Sequence, residues 1–96
     1  MANDYTIRFS IRTVQGFERL CDFYLGNDVM VSNEIFSQLE GSDAVSESDA
    51  LHIDFIESRH GLPLNVKIKH CSLKQMGRNC EFMAKEIFKY RNMVQG

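Results

Sequence analysis

The feature that most constrains this chain is a change of hydrophobic period that occurs twice, in the same order. Residues 5–14 alternate Tyr5, Ile7, Phe9 and Ile11 against Thr6, Arg8, Ser10 and Arg12, the period of a strand with one buried face. A second run, Phe17 to Leu25, sets Phe17, Cys21, Phe23 and Leu25 on one parity and Glu18, Asp22 and Tyr24 on the other. Val14-Gln15-Gly16 between them reads as a three-residue hairpin loop with Gly16 left-handed. That register places Thr13 opposite Phe17, Phe9 opposite Cys21 and Ile7 opposite Phe23. It also pairs Arg12 with Glu18 and Arg8 with Asp22 on the outer face.

The period then lengthens. Asn27 and Asp28 can cap a helix from about Val29 to Glu40, with Val29, Met30, Phe36 and Leu39 buried and Gly41 as a left-handed C-cap. Residues 41–50 carry acids, serines and no cation, and read as an exposed acidic loop. The plan repeats after it. Leu51, Ile53 and Phe55 form one strand face and Leu64, Val66 and Ile68 another, joined at His60-Gly61. That turn sets Arg59 opposite Leu62, Phe55 opposite Val66, Ile53 opposite Ile68 and Asp54 opposite Lys67. Ser72-Leu73-Lys74-Gln75 fits a capping box, and Leu73, Met76, Cys80, Met83, Ile87, Tyr90 and Val94 follow at helical spacing.

The expected fold is therefore α+β in ββαββα order: a four-stranded, mainly antiparallel sheet with both helices on one face. The core face would hold Ile7, Phe9, Ile53, Phe55, Val66 and Ile68, and strand order is left open. A chain of 96 residues suits one domain, with residues 5–40 and 51–94 as two ββα units around the loop 41–50. Glu34-Ile35-Phe36 and Glu86-Ile87-Phe88 occupy corresponding places, which suggests an internal pseudo-twofold repeat.

Composition narrows the partners. Eleven basic and thirteen acidic side chains leave a net charge of −2, which gives no reason to expect a nucleic acid or an anionic membrane. Arg8, Arg12, Lys67 and Lys69 share the expected outer face, but only Tyr24 would offer a ring there for stacking bases. No apolar run approaches the roughly 18–20 residues of a membrane span, and Met1-Ala2-Asn3-Asp4 does not open a secretory signal. Three cysteines, Cys21, Cys71 and Cys80, lack the C-x-x-C spacing and cannot all pair within one chain. Thiols in a cytoplasmic protein are expected.

No metal or cofactor is expected either. The predicted parity sends Cys21 and His70 to the core face and Cys71 outward, so one zinc ion could not reach them together. Cys71 is the better candidate for a reactive thiol, beside Lys69 and a helix amino end. Asp43, Glu47 and Asp49 do not match a calcium loop. Tyr24, His52 and Asp54, with Asp22, are the titratable groups of the outer face and the candidate ligand contacts.

The last helix exceeds what the fold needs. From Leu73 to Val94 it would run about 33 Å, and Phe82, Phe88 and Met93 lie off its main stripe. These three are the candidate interface residues, on a second copy of the chain or on another protein. The first functional expectation is a non-enzymatic, cytoplasmic interaction domain, self-associating as a homodimer through that helix. A small-molecule-binding regulatory domain using Tyr24, His52 and Asp54 is the alternative, and a small enzyme a further one.

Overall fold

The computed structural model describes residues 3–43 and 50–95, with side chains through Lys89. The strands are β1 (Asp4–Thr13), β2 (Gly16–Gly26), β3 (Leu51–Arg59) and β4 (Leu62–Cys71), and the helices are α1 (Val29–Ser37) and α2 (Leu73–Gln95). The sheet order is β2-β1-β3-β4, and all three ladders are antiparallel. The chain is thus α+β in ββαββα order. Tyr5, Ile7, Phe9, Leu51, Ile53 and Phe55 line one face, and Phe36, Leu39, Met76 and Met83 pack on it from the helical side.

The His60-Gly61 turn lies where the sequence places it, but the first loop is the two residues Val14-Gln15 rather than three, with Gly16 already in β2, and both registers slip by one residue. Phe9 faces Cys21, Ile7 faces Phe23 and Arg8 faces Asp22 as expected, whereas Thr13 faces Gly16 and Arg12 faces Phe17. The ladder skips Leu20, a bulge that puts one extra residue on β2. Because strand parity is two, everything between the turn and Leu20 changes face. Phe17 leaves the core side and Arg12 loses Glu18 as its partner.

The second hairpin keeps Arg59 opposite Leu62, with φ 51° at His60 and 80° at Gly61, the positive pair a type I′ turn requires. A bulge at Val66 then makes Phe55 face Lys67, Ile53 face Lys69 and Asp54 face Ile68. Lys67 and Lys69, expected outside, are on the helical side, and Val66 and Ile68 are not part of the core. His70 moves to the outer face and Cys71 into the core, the reverse of the expectation.

The lysines have a use there. Lys69 Nζ donates to the Phe36 and Leu39 carbonyls at 3.0 Å each, and it sits 4.8 Å from the Phe36 ring centroid. Carbonyls at a helix C-terminus lack intrahelical partners, so an ammonium at that negative end supplies what a C-cap would. Lys67 Nζ donates to Asn33 Oδ1 at 2.9 Å.

Helix α1 starts at the Asp28 cap, whose carboxylate accepts from the Met30 and Val31 amides, but it ends at Ser37 rather than Glu40. Gly41 is consequently no helix cap. Its role is close approach, since a Cβ there would lie 2.7 Å from the His70 carbonyl oxygen. Ser42 exchanges two backbone hydrogen bonds of 2.9 Å with His70 at that point. Ser32 and Phe36 are the buried residues of α1, while Val29 and Met30 are exposed, because a nine-residue helix presents only one stripe to the sheet.

The capping box of α2 forms as expected, with Gln75 N–H donating to Ser72 Oγ at 3.1 Å and Ser72 N–H to Gln75 Oε1 at 2.9 Å. Met76, Cys80, Met83 and Ile87 meet the core. Leu73 is 77% exposed, contrary to its place on the expected stripe. The suspected repeat does not extend to the helices: they have nine and 23 residues, and Phe36 is 3% exposed where its counterpart Phe88 is 69% exposed.

Candidate functional site

The sheet face opposite the helices gathers most of the charged candidates. Arg8 projects from its centre and binds Asp22 in two places, Nε to Oδ1 at 2.9 Å and Nη2 to Oδ2 at 3.1 Å. Arg19 adds a third bond to Asp22, at 3.1 Å. Those hydrogen bonds from Arg8 hold the Asp22 carboxyl below its ordinary value, against partial burial and with help from the charges of Arg8 and Arg19.

A carboxyl lowered in this way adds stability above its unfolded-state value and loses it as pH falls through the folded value. The stability gap between wild type and Asp22→Asn should therefore be full above about pH 5 and close steadily below pH 3.8, the ordinary value. Urea midpoints across that range measure it. A gap that does not change with pH would show that the ion pair contributes nothing.

Asp54 lies across β1 from Asp22, as the other register partner of Arg8. His52 is two residues away on the same strand face, stacked on Phe17 with ring centroids 4.1 Å apart and 23° between planes. Phe17 reaches His52 over β1, which accounts for the burial of Ser10, and the Arg12 guanidinium sits 5.7 Å from the Phe17 centroid. Asp54 Oδ1 and His52 Nε2 are shielded from solvent and have no hydrogen-bond partner among the described residues. Tyr24 donates instead to Asp4 Oδ1 at 3.1 Å, at the other end of the face.

The expected constellation is thus only partly assembled. Asp22, His52 and Asp54 share the neighbourhood of Arg8, and Tyr24 stands apart. Neither of two surface cavities is lined by His52 or Asp54. One, of about 570 Å³, lies at the β4 edge among Phe36, Asp43, Lys67 and Lys69. The other, of about 190 Å³, is an apolar groove between Tyr24, Leu25, Val31, Ile35 and Ile87.

The thiols behave as core groups. Cys71 faces the core, and burial, with the nearby Cys80 thiol adding to it, pushes its thiol up to about 11, opposite to the activation expected from Lys69 and the helix end. Burial likewise raises the Cys21 and Cys80 thiols. All three are free. Among the described residues no three His, Cys, Asp or Glu side chains gather as a metal-binding group. Glu47 and Asp49 of the acidic loop lie outside the described residues. Among the described residues no helix is long and apolar enough to cross a membrane.

Of the candidate interface residues, Phe88 is exposed on α2. Phe82, read as lying off the main stripe, packs against the core. The Met93 side chain lies outside those described. Comparison with protein-family models, curated proteins and solved structures finds no match for this chain.

Two features went unread in the sequence. The Phe17–His52 stack depends on a bulge that leaves no mark in the alternation, because Phe17 and Leu20 supply apolar residues to both parities. Asn79, buried on α2, could have been noticed as an amide at core spacing between Met76 and Met83.

Proposed function

We propose that the protein is a non-enzymatic interaction domain of the cytoplasm that self-associates through α2. The observation that supports this reading is the exposure of Phe88. Among the described side chains, those through Lys89, α2 meets the core from Met76 to Ile87 and carries this phenyl ring in solvent directly after Ile87. A large ring left outside the core on a rigid helix is the kind of surface that a partner buries, and a second copy is the commonest partner. The free thiols suit a reducing compartment.

Light scattering over a concentration series tests the reading. Wild type should be a dimer, and Phe88→Glu a folded monomer with unchanged circular dichroism. Ile87→Glu, one residue away but packed on the core, should unfold the chain instead. A wild type that stays monomeric at every concentration, or a Phe88→Glu variant that stays dimeric, would overturn the proposal.

A further inference from the structure

The apolar groove of about 190 Å³ is assembled by three elements that meet only in the folded chain. The end of β2 supplies Tyr24, Leu25 and Gly26, α1 supplies Val31 and Ile35 one turn apart, and α2 supplies Glu86 and Ile87. Leu25, Ile35 and Ile87 pack against the core and, with Val31, stay half-buried, so the sides they turn away from the core form an aliphatic wall. An apolar cavity of about 150 Å³ accepts a benzene ring, and this groove therefore suits one ring carrying a short arm.

The polar side chains of the groove carry one sign. The Glu86 carboxylate has neither an ion pair nor a hydrogen bond among the described residues. Lys85, its neighbour in sequence, binds Glu81 at 3.3 Å, and Lys89, one turn further on, is exposed and forms no ion pair with it. Tyr24 donates its hydroxyl to Asp4 Oδ1 at 3.1 Å, which places a second carboxylate beside the ring. That bond engages the only phenolic proton and leaves the oxygen able to accept. Negative charge and an acceptor thus adjoin apolar walls, and no lining side chain is a cation that could balance them.

We infer that the groove binds a small hydrophobic amine in its ammonium form, with a body of about one aromatic ring against Leu25, Val31, Ile35 and Ile87. The ammonium group donates to the Glu86 carboxylate and the Tyr24 oxygen. An alkylammonium resembles a lysine head group, whose ordinary value of about 10.4 keeps it charged at neutral pH. The groove is open to solvent, so the cation keeps part of its hydration while the ring leaves water. An anion of the same size gains the same apolar contact but meets the field of Glu86 and Asp4, and a neutral alcohol gains the contact without the charge. The chemistry that separates these three ligands is the sign at the arm.

This site is independent of association through Phe88, and a monomeric chain would carry it equally. Titrating the nitrogen-15-labelled full chain at pH 7 with 2-phenylethylamine, 2-phenylethanol and phenylacetate tests it, since the three differ mainly in charge. The amine should shift the Leu25, Gly26, Val31, Ile35 and Ile87 amides saturably, with a Kd of about 1 mM or below. It should bind about fivefold more tightly than the alcohol, the upper range for a solvent-exposed ion pair, and phenylacetate should be the weakest. Glu86→Gln should make amine and alcohol equal while leaving the alcohol's Kd unchanged, and Glu86→Lys should turn the preference over to phenylacetate. The inference is overturned if the amine produces no saturable shift at those amides, if it binds no more tightly than the alcohol, or if its advantage survives Glu86→Gln in a chain whose spectrum shows it folded. Where a variant does not fold, the order of the three ligands on wild type decides.

Discussion

Replacing Phe55 with alanine is expected to remove about 4 kcal/mol of folding stability. Phe55 is 1% exposed and sits in the middle of a ring column, 5.7 Å from Tyr5 and 5.3 Å from Phe36, with both interplanar angles 21°. Its three rings belong to β1, β3 and α1, so the column joins the two central strands to the helical layer. Truncation loses the transfer free energy of the ring and leaves a cavity that strands held in a ladder cannot collapse around. It also removes two stacked contacts, each contributing about 0.5–1.5 kcal/mol beyond area burial. Against the roughly 5–15 kcal/mol that holds small domains folded, the variant should have a much lower urea midpoint with an unchanged slope. A loss below about 1.5 kcal/mol would show that the column is not what joins these layers.

How far such residues could be found without the structure depends on whether their neighbours are local. Phe55, Ile53, Ile7 and Phe9 were legible because uninterrupted alternation assigns them one face whatever the strand order. The His60-Gly61 turn and the Ser72–Gln75 capping box were legible because each is set by a few adjacent residues. The bulges at Leu20 and Val66 were not, because an extra residue changes the pairing without changing the composition of either strand. Every misplaced candidate in the sheet follows from them: Phe17, Lys67, Lys69, His70 and Cys71 all changed face together. Lys69 shows why composition misleads here. A lysine in a strand reads as solvent-facing, yet its long apolar stem crosses Phe36 and its ammonium reaches the Phe36 and Leu39 carbonyls around the end of α1. On α2, Phe88 was legible as surplus, whereas Phe82 was not recognised as core because the core wraps farther round the helix than a single stripe.

The same reasoning makes Asn79 the residue whose loss should be most surprising from sequence. It is 2% exposed, with Oδ1 accepting from the Glu40 amide at 2.8 Å and Nδ2 donating to the Glu40 carbonyl at 2.9 Å. One side chain thus imitates a neighbouring strand and holds the chain that leaves α1 against α2. Asn79→Leu keeps the volume but leaves Glu40's amide and carbonyl without partners, and the expected cost is about 3 kcal/mol. Because Gly41 and Ser42 follow directly, the Ser42 and His70 amides should also exchange faster than in wild type, as their mutual hydrogen bonds lose their anchor. Asn79→Asp separates hydrogen bonding from packing. Its ionised carboxylate can accept from the amide but repels the carbonyl, whereas its protonated form can make both bonds. Its deficit relative to wild type should therefore shrink as pH falls, since protonation restores the donor. A leucine variant as stable as wild type, with unchanged exchange at Ser42, would mean that water serves Glu40 as well as Asn79 does.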